Sequence, residues 1–490
     1  MFQKTSPASA RRTADLHPRR TAEHIIPFYV AEDCAGIGTG FIALQRAARR
    51  IGRARMSSIR KGKCHCKLRL RLKYTSESNA RLRTFLKSKY KRHKGNGRDK
   101  SSLSYTSGSK TVIADDCGVG CHDGGDDYLG TDGELDVYMS GSQCQPFSKM
   151  GKNGGRGDDR SDTMRDTVSF IMKRKPKTFI MEQVPNIKSK PHSKFWEKIL
   201  DKLRSIKTKK TKSLYRLHTQ TLNSQAFGVP QTRKRLYVVG IRRDIGPAFR
   251  KFHMPKVGKH GHTAKLKTLL RKASSATQVK DSELNYTELR NWQAVQQQIQ
   301  SHQLQLPAIA DFHMSKSFGC PVQSKASPTI TKTRAKGQAF WLIDKISNGS
   351  LTEGHFVKRR LDVSDYAALQ GWDADAQKNY LQIGRNRHLT DSELREALGN
   401  GFNMAVFEAI LQKLLHCHLD ATEAIHAEIV SDEESDPGTK VGPRARGRPR
   451  RKVHGSNGPK GAYIMGPLGP MPILPDAMGP CKVGPRRKVP

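Results

Sequence analysis

The stretch Leu135–Ser148, LDVYMSGSQCQPFS, carries the signals on which the fold prediction depends. Its apolar start, Leu135–Met139, predicts a short buried strand. Cys144 follows that strand, and a glycine-rich run at 149–157 comes next. A thiol between a strand end and a glycine-rich loop is well placed to act as a nucleophile on a bulky substrate. The alternative is a buried structural cysteine, because free cysteine packs as a small hydrophobe. Pro146 and its polar neighbours argue against that burial.

Strands and helices alternate on both sides of this stretch. Ahead of it, Ile25–Glu32 predicts a strand and Phe41–Ile51 a helix. After it, the predicted elements are helix Thr163–Lys173, strand Thr178–Met181, helix Phe195–Leu203 and strands Tyr215–Leu222 and Arg235–Ile241. This alternation predicts an α/β, Rossmann-like fold with a mixed, mostly parallel sheet. Ligands of such sheets bind at the carboxyl ends of the strands.

Changes of composition predict five regions. They are a disordered basic leader at 1–24, a catalytic and cofactor-binding domain at 25–245 with basic surface insertions near 53–71 and 87–110, a smaller irregular domain at 246–357, a return to the first domain at 358–417, and a disordered tail at 418–490. Apolar periodicity at Val363–Leu369 and Met404–Leu415 marks the return. The tail is rich in Gly, Pro and Arg and lacks the residues to bury a core.

The charge balance points to a polyanionic partner. Lys and Arg number 88 against 44 Asp and Glu, a formal net charge of +44. Nucleic acid is the partner that compensates such an excess, although solvated surfaces and basic arms account for part of it. The leader has the composition of an organelle transit peptide or of a nucleic-acid arm. No run of apolar residues is long enough to span a membrane.

The nine cysteines show no disulfide framework and indicate a reducing compartment. Two clusters raise the alternative of a zinc site, Cys64-His65-Cys66 and Cys117 with Cys121-His122. Structural zinc sites use paired cysteines two to four residues apart, and a C-x-C pair is a poor clamp. The sequence therefore predicts no metal.

Three further motifs fall at predicted strand ends. The turn Asp33–Gly40, DCAGIGTG, lets the backbone approach a nucleotide-like ligand. Glu182 closes a buried strand, and Gln231–Arg235, QTRKR, opens another. A dinucleotide-binding site would place an acid about 20 residues after the glycine turn. Glu77 lies farther away, so a dehydrogenase fits poorly.

Taken in order, these motifs resemble those of the cytosine-5 DNA methyltransferases that depend on S-adenosylmethionine. The matching segments are the glycine turn, the Cys-Gln-Pro-Phe-Ser loop, Glu182-Gln183-Val184, Gln231–Arg235, Arg360-Leu361 through Leu369–Trp372, and Gly399-Asn400 through Val406. They cover roughly residues 27–245 and 355–410. The region between them would be the target-recognition domain.

The resemblance implies a role for each matching residue. Cys144 would attack C6 of cytosine, and Glu182 would hydrogen-bond or protonate N3. Arg235, with Arg233 beside it, would hold the base oxygen and the loop. The base must leave the duplex, so a loop from Ser148 to Arg160 would close over it. The implied cofactor residues are Gly36, Ile37, Gly38, Glu77, Asp116 and Asn400, and the implied DNA contacts in this part of the chain are Ser148, Arg160 and Gln231.

Target specificity would come from residues 246–357, where Ser327–Lys332 and Arg334 are candidate nucleic-acid contacts. The tail contains an Arg-Gly-Arg-Pro-Arg motif that resembles an AT-hook, with Arg446, Arg448 and Arg450 as DNA contacts. Such a strip fits the narrow minor groove of A·T-rich DNA. The alternative for the tail is a basic segment with chance Gly-Pro spacing.

Two rival functions remain open from the sequence. One branch with the same fold methylates transfer RNA, and charge alone does not separate the two polyanions. The other rival is a catalytically impaired DNA-binding homologue, because Gln143, Gln183 and Cys34 depart from the family pattern. A nuclear location fits a DNA substrate, and a location in an organelle is the alternative.

Overall fold

The computed structural model describes residues 24–34, 36–59, 66–75, 77, 79, 81–82, 84–86, 105–107, 110–112, 134–142, 145–148, 161–208, 212–256, 265–270, 278–302, 304–345, 356–386 and 389–435. In chain order, the strands are β1 His24–Asp33, β2 Cys66–Thr75, β3 Tyr105–Ser107, β4 Lys110–Val112, β5 Val137–Ser140, β6 Thr178–Gln183, β7 Tyr215–Asn223, β8 Lys234–Arg242, β9 Ala308–Asp311, β10 Phe340–Lys345 and β11 Phe356–Arg360. The helices are α1 Thr39–Ile59, α2 Asp162–Arg174, α3 Ser193–Ser205, α4 Leu266–Leu269, α5 Tyr286–His302, α6 Lys332–Lys336, α7 Val363–Leu369, α8 Ala374–Asn386, α9 Asp391–Asn400 and α10 Met404–Ser435.

The main sheet has six strands in the order β2-β1-β5-β6-β8-β7. Its pairs are parallel from β2 to β6, while β8 is antiparallel to both β6 and β7. Only β8 is therefore reversed, which confirms the predicted mixed, mostly parallel α/β sheet. The chain leaves β1 toward β2 on one side and returns to β5 on the other. The crevice beside the carboxyl end of β1 is thus a topological switch point, the place where such sheets bind ligands.

Helices cover both faces of this sheet. Along β5, Val137 and Met139 belong to one apolar cluster, and Tyr138 between them belongs to the other. The first cluster takes in α1, α7, α9 and α10, and the second takes in α2 and α3. All four residues of β5 and all six of β6 are buried, as expected of strands covered on both faces.

The stretch at 53–71 differs from the prediction of a surface insertion. Its first residues continue α1 to Ile59, and its last residues begin β2, which pairs in parallel with β1. Leu68, Leu70 and Leu72 alternate with basic residues, a period-2 pattern that fits an edge strand. Charged side chains on an edge strand protect it against pairing with other chains. Because this stretch is highly charged, its sequence predicted a surface insertion and not a strand.

The boundary predicted after Cys417 is also wrong. Helix α10 runs without a break from Met404 to Ser435. His418 and Leu419 are buried, the latter within the first cluster. The helix therefore continues past the last residue that the apolar periodicity had marked, and the core extends with it.

A second sheet, β11-β10-β9, is antiparallel throughout. Its strands β9 and β10 lie in the region predicted to recognise the target, whereas β11 crosses the boundary predicted after residue 357. One face of β10, with Phe340 and Leu342, joins the first apolar cluster. The other face, with Trp341 and Ile343, packs in a separate cluster with Trp292 of α5. The role of this region in target recognition stays a prediction, as do the leader and the tail.

Candidate functional site

The carboxyl ends of β1, β5 and β6 and the start of β8 meet at one edge of the sheet. Because β6 and β8 are antiparallel neighbours with Gln183 opposite Leu236, the end of β6 faces the beginning of β8. Glu182 Oε1 lies 3.0 Å from Arg235 Nε, and both side chains are about nine-tenths buried. The structure thus brings together two residues predicted to act on the same substrate.

One carboxylate oxygen of Glu182 retains an unused hydrogen-bonding capacity. Although Oε1 is close to Arg235, the Nε–H does not point along the line of a hydrogen bond, and this buried oxygen has no aligned donor in the described part of the chain. Arg235 Nη1 instead donates to the carbonyl of Lys234 at 2.8 Å. Oε1 could therefore accept a hydrogen bond from a ligand that brings a donor to this end of β6.

The residues on either side of Cys144 are held by the end of β6. Cys144 itself lies outside the described residues. Before it, Ser142 Oγ accepts a hydrogen bond from Gln183 Nε2 at 3.3 Å. After it, the carbonyl of Phe147 accepts one from Asn186 Nδ2 at 2.9 Å. The segment that carries the predicted nucleophile is therefore anchored within a few residues of Glu182.

Apolar contacts reinforce the second anchor. Phe147 is fully buried at the end of the turn Gln145–Phe147. Its ring stacks on Phe195 at 5.2 Å and meets His192 edge-on at 5.4 Å. Aromatic pairs in these arrangements contribute about 0.5–1.5 kcal/mol beyond burial. Phe147 is thus an anchor for the loop, whereas Ser148 beside it is half-buried.

Arg233 has a different place from the one predicted. Its guanidinium donates to the carbonyls of Ile330, Gly399 and Gly401 at 2.7–3.1 Å, and the residue is buried. These bonds tie the start of β8 to the end of α9. Arg233 is therefore engaged with backbone carbonyls, and of the two arginines it is Arg235 that pairs with Glu182.

Gln231 is likewise a structural residue in this conformation. It is fully buried, and its Nε2 donates to the carbonyl of Leu369 at 3.1 Å. A contact with DNA would require this side chain to become exposed, and the predicted contact stays a prediction. The candidate contacts downstream are also engaged within the protein: Arg334 pairs with Asp311 and Lys332 with Glu396.

The glycine turn is organised by two carboxylates. Glu32, fully buried at the end of β1, accepts the N–H groups of Gly40 and Phe41 at 2.8 and 3.1 Å. These are free donors at the start of α1, which dinucleotide-binding folds offer to a phosphate. Here a carboxylate occupies them. The turn is therefore unsuited to a pyrophosphate, which adds a second reason against a dehydrogenase.

The second carboxylate, Glu77, lies at the same turn. It accepts the N–H of Gly36 at 2.7 Å and that of Asn79 at 2.9 Å. The predicted proximity of Glu77 to the glycine turn is present, across 41 residues of sequence. Gly36 has φ +57°, and a Cβ there would meet nothing within 4 Å. The turn thus has open space beside the backbone, next to an acidic side chain.

The other residues of the turn differ in how deeply they are buried. Ile37 is buried in the first apolar cluster, and Gly38 is buried with φ +75°. Cys34 adopts φ 54°, and burial, followed by Asp33 and Glu77, raises the pKa of its thiol well above the ordinary value. The Cys34 thiol therefore stays protonated. Ile37 is part of the core, so any contact with a ligand would come from its backbone.

The segment after α9 reaches the same edge. Asn400 is exposed at the end of α9, and a Cβ at Gly401 would lie 3.0 Å from Thr39 Oγ1. A Cβ at Gly141 would lie 3.1 Å from the ring of Phe402. A Cβ at Gly40 would lie 3.3 Å from the same ring. Phe402, in the segment that follows α9, thus packs against both the glycine turn and the end of β5. Its ring leaves little room for a Cβ at Gly40 or Gly141, which explains the glycines at these two positions.

Several predicted residues lie outside the described part of the chain: Cys144, Arg160, Asp116, Arg446, Arg448 and Arg450. Their roles stay predictions. No group of three or more His, Cys, Asp or Glu side chains within the described ranges is arranged to hold a metal ion. The Cys64-His65 and Cys117–His122 clusters fall outside those ranges. Among the described helices, none combines the length and hydropathy of a membrane span.

The sequence did not predict three residues that support the site. Ser142, Asn186 and Phe402 each hold a segment next to a predicted reacting or binding residue. Asn186 could have been found, because it follows Glu182 by four residues at a strand end. Phe402 gave no such signal, since its contacts are with glycines more than 250 residues away in sequence.

The sequence profile of the C-5 cytosine-specific DNA methylase family matches residues 124–416, more than half of the chain. The chain belongs to the C-5 cytosine-specific DNA methylase family. The matched span contains β5, β6 and β8 and therefore Glu182, Arg235 and the segment around Cys144. The glycine turn and Glu77 precede the span.

Individual members of this family align with shorter parts of the chain. The Type II methyltransferase M.BsuFI of Bacillus subtilis is 32% identical over 123 residues, which is 25% of this chain and 28% of that protein. M.HhaI of Haemophilus parahaemolyticus is 30% identical over 121 residues, 25% of this chain and 34% of that protein. The chain thus spans about a third or less of these relatives. A crystal structure of a Spodoptera frugiperda DNMT2 mutant covers 79% of this chain and 99% of that chain, at 14% identity and a TM-score of 0.49.

Proposed function

We propose that this chain is an S-adenosylmethionine-dependent DNA (cytosine-5)-methyltransferase that forms a covalent bond between Cys144 and C6 of cytosine. The observation that carries the proposal is the junction at the end of β6. There Glu182 pairs with Arg235, and the neighbouring Gln183 and Asn186 hold the two sides of the Cys144 segment. A nucleophile, a carboxylate and a guanidinium would thus share one pocket.

These groups suit the chemistry of cytosine. C5 is a weak nucleophile until a thiolate adds to C6 and converts the ring to an enamine. Glu182, with its unaligned oxygen, would bind the N3 edge and withdraw the charge that develops during this addition. Arg235 would hold Glu182 and the base oxygen. C5 would then take the methyl group that the cofactor supplies, with the methyl–sulfur bond of the cofactor breaking. Loss of the proton from C5 then lets the Cys144 sulfur leave and restores the aromatic ring.

The glycine turn fits the proposed cofactor. S-adenosylmethionine would supply an electrophilic methyl group and carries no phosphate. The start of α1, where Glu32 occupies the backbone donors, matches a ligand without phosphate. Glu77 lies beside the open space at Gly36 and would take the ribose hydroxyls. Asp116 would bind the adenine amino group, and Asn400 would lie near the methionine end.

The proposed substrate is a duplex from which the cytosine is flipped. The net charge of +44 favours a polyanion, and the relatives named above are Type II methyltransferases. Ser148 to Arg160 would form the loop that closes over the base, and residues 246–357 would read the sequence. Within that region Tyr286 and Phe318 are 81% and 78% exposed. Exposed aromatic rings can stack on bases, which makes these two residues candidates for contacts with a distorted duplex.

Two assays test this proposal. The full chain is incubated with labelled S-adenosylmethionine and either duplex DNA or total transfer RNA, and label is expected in C5 of DNA cytosines. Duplexes containing 5-fluorocytosine should trap a covalent adduct, because fluorine at C5 prevents the final elimination. Cys144→Ser should give neither label nor adduct while still binding DNA, since a serine hydroxyl is a far weaker nucleophile than a thiolate.

Each alternative outcome has a meaning. Labelling of transfer RNA but not DNA would replace the proposed substrate. Normal DNA binding without label or adduct in the unmodified chain would identify a catalytically impaired homologue. Methyl transfer by Cys144→Ser at the original rate would contradict the covalent mechanism. A nuclear location is proposed together with the DNA substrate, and imaging of the tagged full chain distinguishes it from an organelle.

A further inference from the structure

A cavity lined mainly by arginines lies at the opposite edge of the main sheet from Glu182. Its walls are Arg216 of β7, Ile241 and Arg242 of β8, and Arg243, Gly246, Phe249 and Arg250 in the segment that follows. Arg242 lies seven residues beyond Arg235 on β8, which at about 3.4 Å per residue is roughly 24 Å away. The cavity is therefore separate from the candidate site.

Strand pairing brings these arginines together. Arg216, near the start of β7, pairs with Ile241, near the end of the antiparallel β8. The chain then turns through Gly246, which has φ +108°, a conformation that side chains other than glycine rarely adopt. A Cβ at Gly246 would meet nothing within 4 Å, so the turn borders open space. Phe249 and Ile241 are buried and form an apolar floor.

Only one of the four guanidinium groups is neutralised. Arg242 pairs with Asp244 at 2.8 Å and with Glu134. Within the described ranges, Arg216, Arg243 and Arg250 have no carboxylate partner, and Arg216 donates only to the carbonyl of Arg250 at 3.3 Å. Three positive charges around one cavity repel one another unless an anion binds between them.

The surroundings add to this positive charge. Lys251, His253 and Lys256 are exposed just beyond Arg250. His218 lies two residues after Arg216 on β7, and its Nε2 has no hydrogen-bond partner among the described residues. Burial, then Arg216 and then His253, lowers the pKa of His218. Arg216 and His253 thus both place positive charge close to His218.

We propose that Arg216, Arg243 and Arg250 form a phosphate-binding site that holds the backbone of a second segment of nucleic acid, away from the segment at the candidate active site. Guanidinium groups bind phosphate oxygens through paired hydrogen bonds. The cavity is a shallow depression open to solvent, with too little enclosed space for a small organic ligand. A phosphate group would bind at its mouth and leave a base outside.

The test measures binding of the full chain to a duplex of about 60 base pairs, long enough at roughly 3.4 Å per pair to contact distant surfaces. The variant combines Arg216→Gln, Arg243→Gln and Arg250→Gln. Each lost phosphate contact removes about 0.9 from the slope of log affinity against log salt, so three contacts remove about 2.7. Between 50 and 200 mM salt, wild-type affinity should therefore fall about 40-fold more than that of the variant.

A matched control removes the same charge elsewhere. Lys198, Lys202 and Lys413 are exposed and have no carboxylate partner among the described residues. Their combined replacement by Gln should change the slope by less than one. If the lysine variant loses as much slope as the arginine variant, the cavity is an ordinary basic surface and the proposal is wrong. Thermal unfolding of both variants shows whether they remain folded. An Arg→Lys triple variant keeps the charge but loses the paired donors, so it should keep a slope close to that of the wild type while binding more weakly.

A second measurement separates the two sources of phosphate. Tripolyphosphate should raise the melting temperature of the wild-type protein and not that of the arginine variant. If this stabilisation occurs but the slope on duplex DNA is unchanged, the cavity binds small phosphate compounds and the assignment to nucleic acid is overturned. Neither measurement uses methyl transfer, so the result stands apart from the proposed function.

Discussion

Glu182 combines burial, a neighbouring guanidinium and an oxygen without an aligned donor. Burial and the Arg235 pair are shared by structural ion pairs elsewhere in the protein, for example Glu408 with Arg46 and Arg50. The unaligned oxygen and the position beside the Cys144 segment set Glu182 apart. These two features predict a role in chemistry, and the comparison with Glu408 makes that prediction testable.

Glu182→Gln should slow methyl transfer by roughly two to four orders of magnitude, the usual contribution of acid–base assistance. The amide keeps the shape of the side chain but cannot exchange a proton with the base. Single-turnover transfer at saturating DNA measures the effect. The control is Glu408→Gln, an equally buried partner of two arginines, which should lower stability and leave turnover of the folded protein unchanged. Equal turnover in both variants would make Glu182 a purely structural residue.

His418 provides a test of the core that is independent of activity. Its ring lies edge-on to Phe28 at 4.8 Å and to Phe249 at 4.6 Å, and burial lowers its pKa to about 3. The unfolded chain binds a proton near pH 6.5, whereas the folded protein does not until about pH 3. Stability from this group is therefore complete above pH 6.5 and falls by about 1.4 kcal/mol per pH unit below it.

His418→Leu should remove this dependence. Urea unfolding of both proteins at pH 7.0, 5.5 and 4.5 isolates the effect, because all other titrating groups are shared. The difference in free energy of unfolding between wild type and variant should shift in favour of the variant as pH falls, by up to about 2–3 kcal/mol at pH 4.5. A constant difference across this range would show that His418 is protonated in the folded state.

The strands and helices assign distinct tasks to two arginines that look alike in the sequence. Arg235 lies within β8 and pairs with Glu182 on β6. Arg233 precedes β8, and its hydrogen bonds to three carbonyls connect this strand to the end of α9 and to the chain before α6. The segment Gly399–Gly401 at the end of α9 is thereby held against the sheet, next to the glycine turn.

Arg233→Gln should therefore act mainly on stability. Loss of charged hydrogen bonds to three buried carbonyls should lower the free energy of unfolding by on the order of 3 kcal/mol. Arg235→Gln should lower turnover more than stability, because its guanidinium contacts the proposed reacting carboxylate. Denaturant unfolding and turnover, corrected for the folded fraction, give the comparison. If Arg233→Gln is the more damaging to corrected turnover, the original assignment of Arg233 to the substrate is restored.

For the molecule as a whole, the dominant property is its charge of +44. The cavity arginines and the basic motif at Arg446–Arg450 would add nucleic-acid contacts to those of the candidate site. Helix α10 continues to Ser435, so a deletion that leaves this helix intact begins after that residue. The AT-hook-like motif lies outside the described residues and is tested by its effect on sequence preference.

Deletion of residues 436–490 should weaken binding to A·T-rich duplexes more than to G·C-rich duplexes, because an Arg-Gly-Arg strip binds best in a narrow minor groove. The slope of affinity against salt should also become shallower. Turnover on short saturating duplexes should persist, since every proposed catalytic residue precedes α10. Equal losses on both duplexes would identify the tail as a basic tether without sequence preference.

Much of the fold was readable from local sequence. The apolar runs at 135–139 and 178–181 and the helical periodicity at 363–369 encode elements that the structure places within a few residues of the prediction. Such patterns are local, because alternation and helical spacing follow from which face of an element is buried. The motif order was sufficient to predict the family, and Glu182 and Arg235 were both predicted to act on the same substrate.

Contacts between distant segments could not be read in this way. Arg233 and Arg235 are the same residue type two positions apart, and only the arrangement of β8 between β6 and β7 separates their roles. Gln231 is polar and adjacent to them, yet its carbonyl partner at Leu369 buries it completely. The cavity of arginines arises from residues on β7, β8 and the turn after them. Local patterns determine which residues form strands and helices, whereas the order and direction of strands in the sheet determine which side chains meet, because those contacts join residues far apart in the chain.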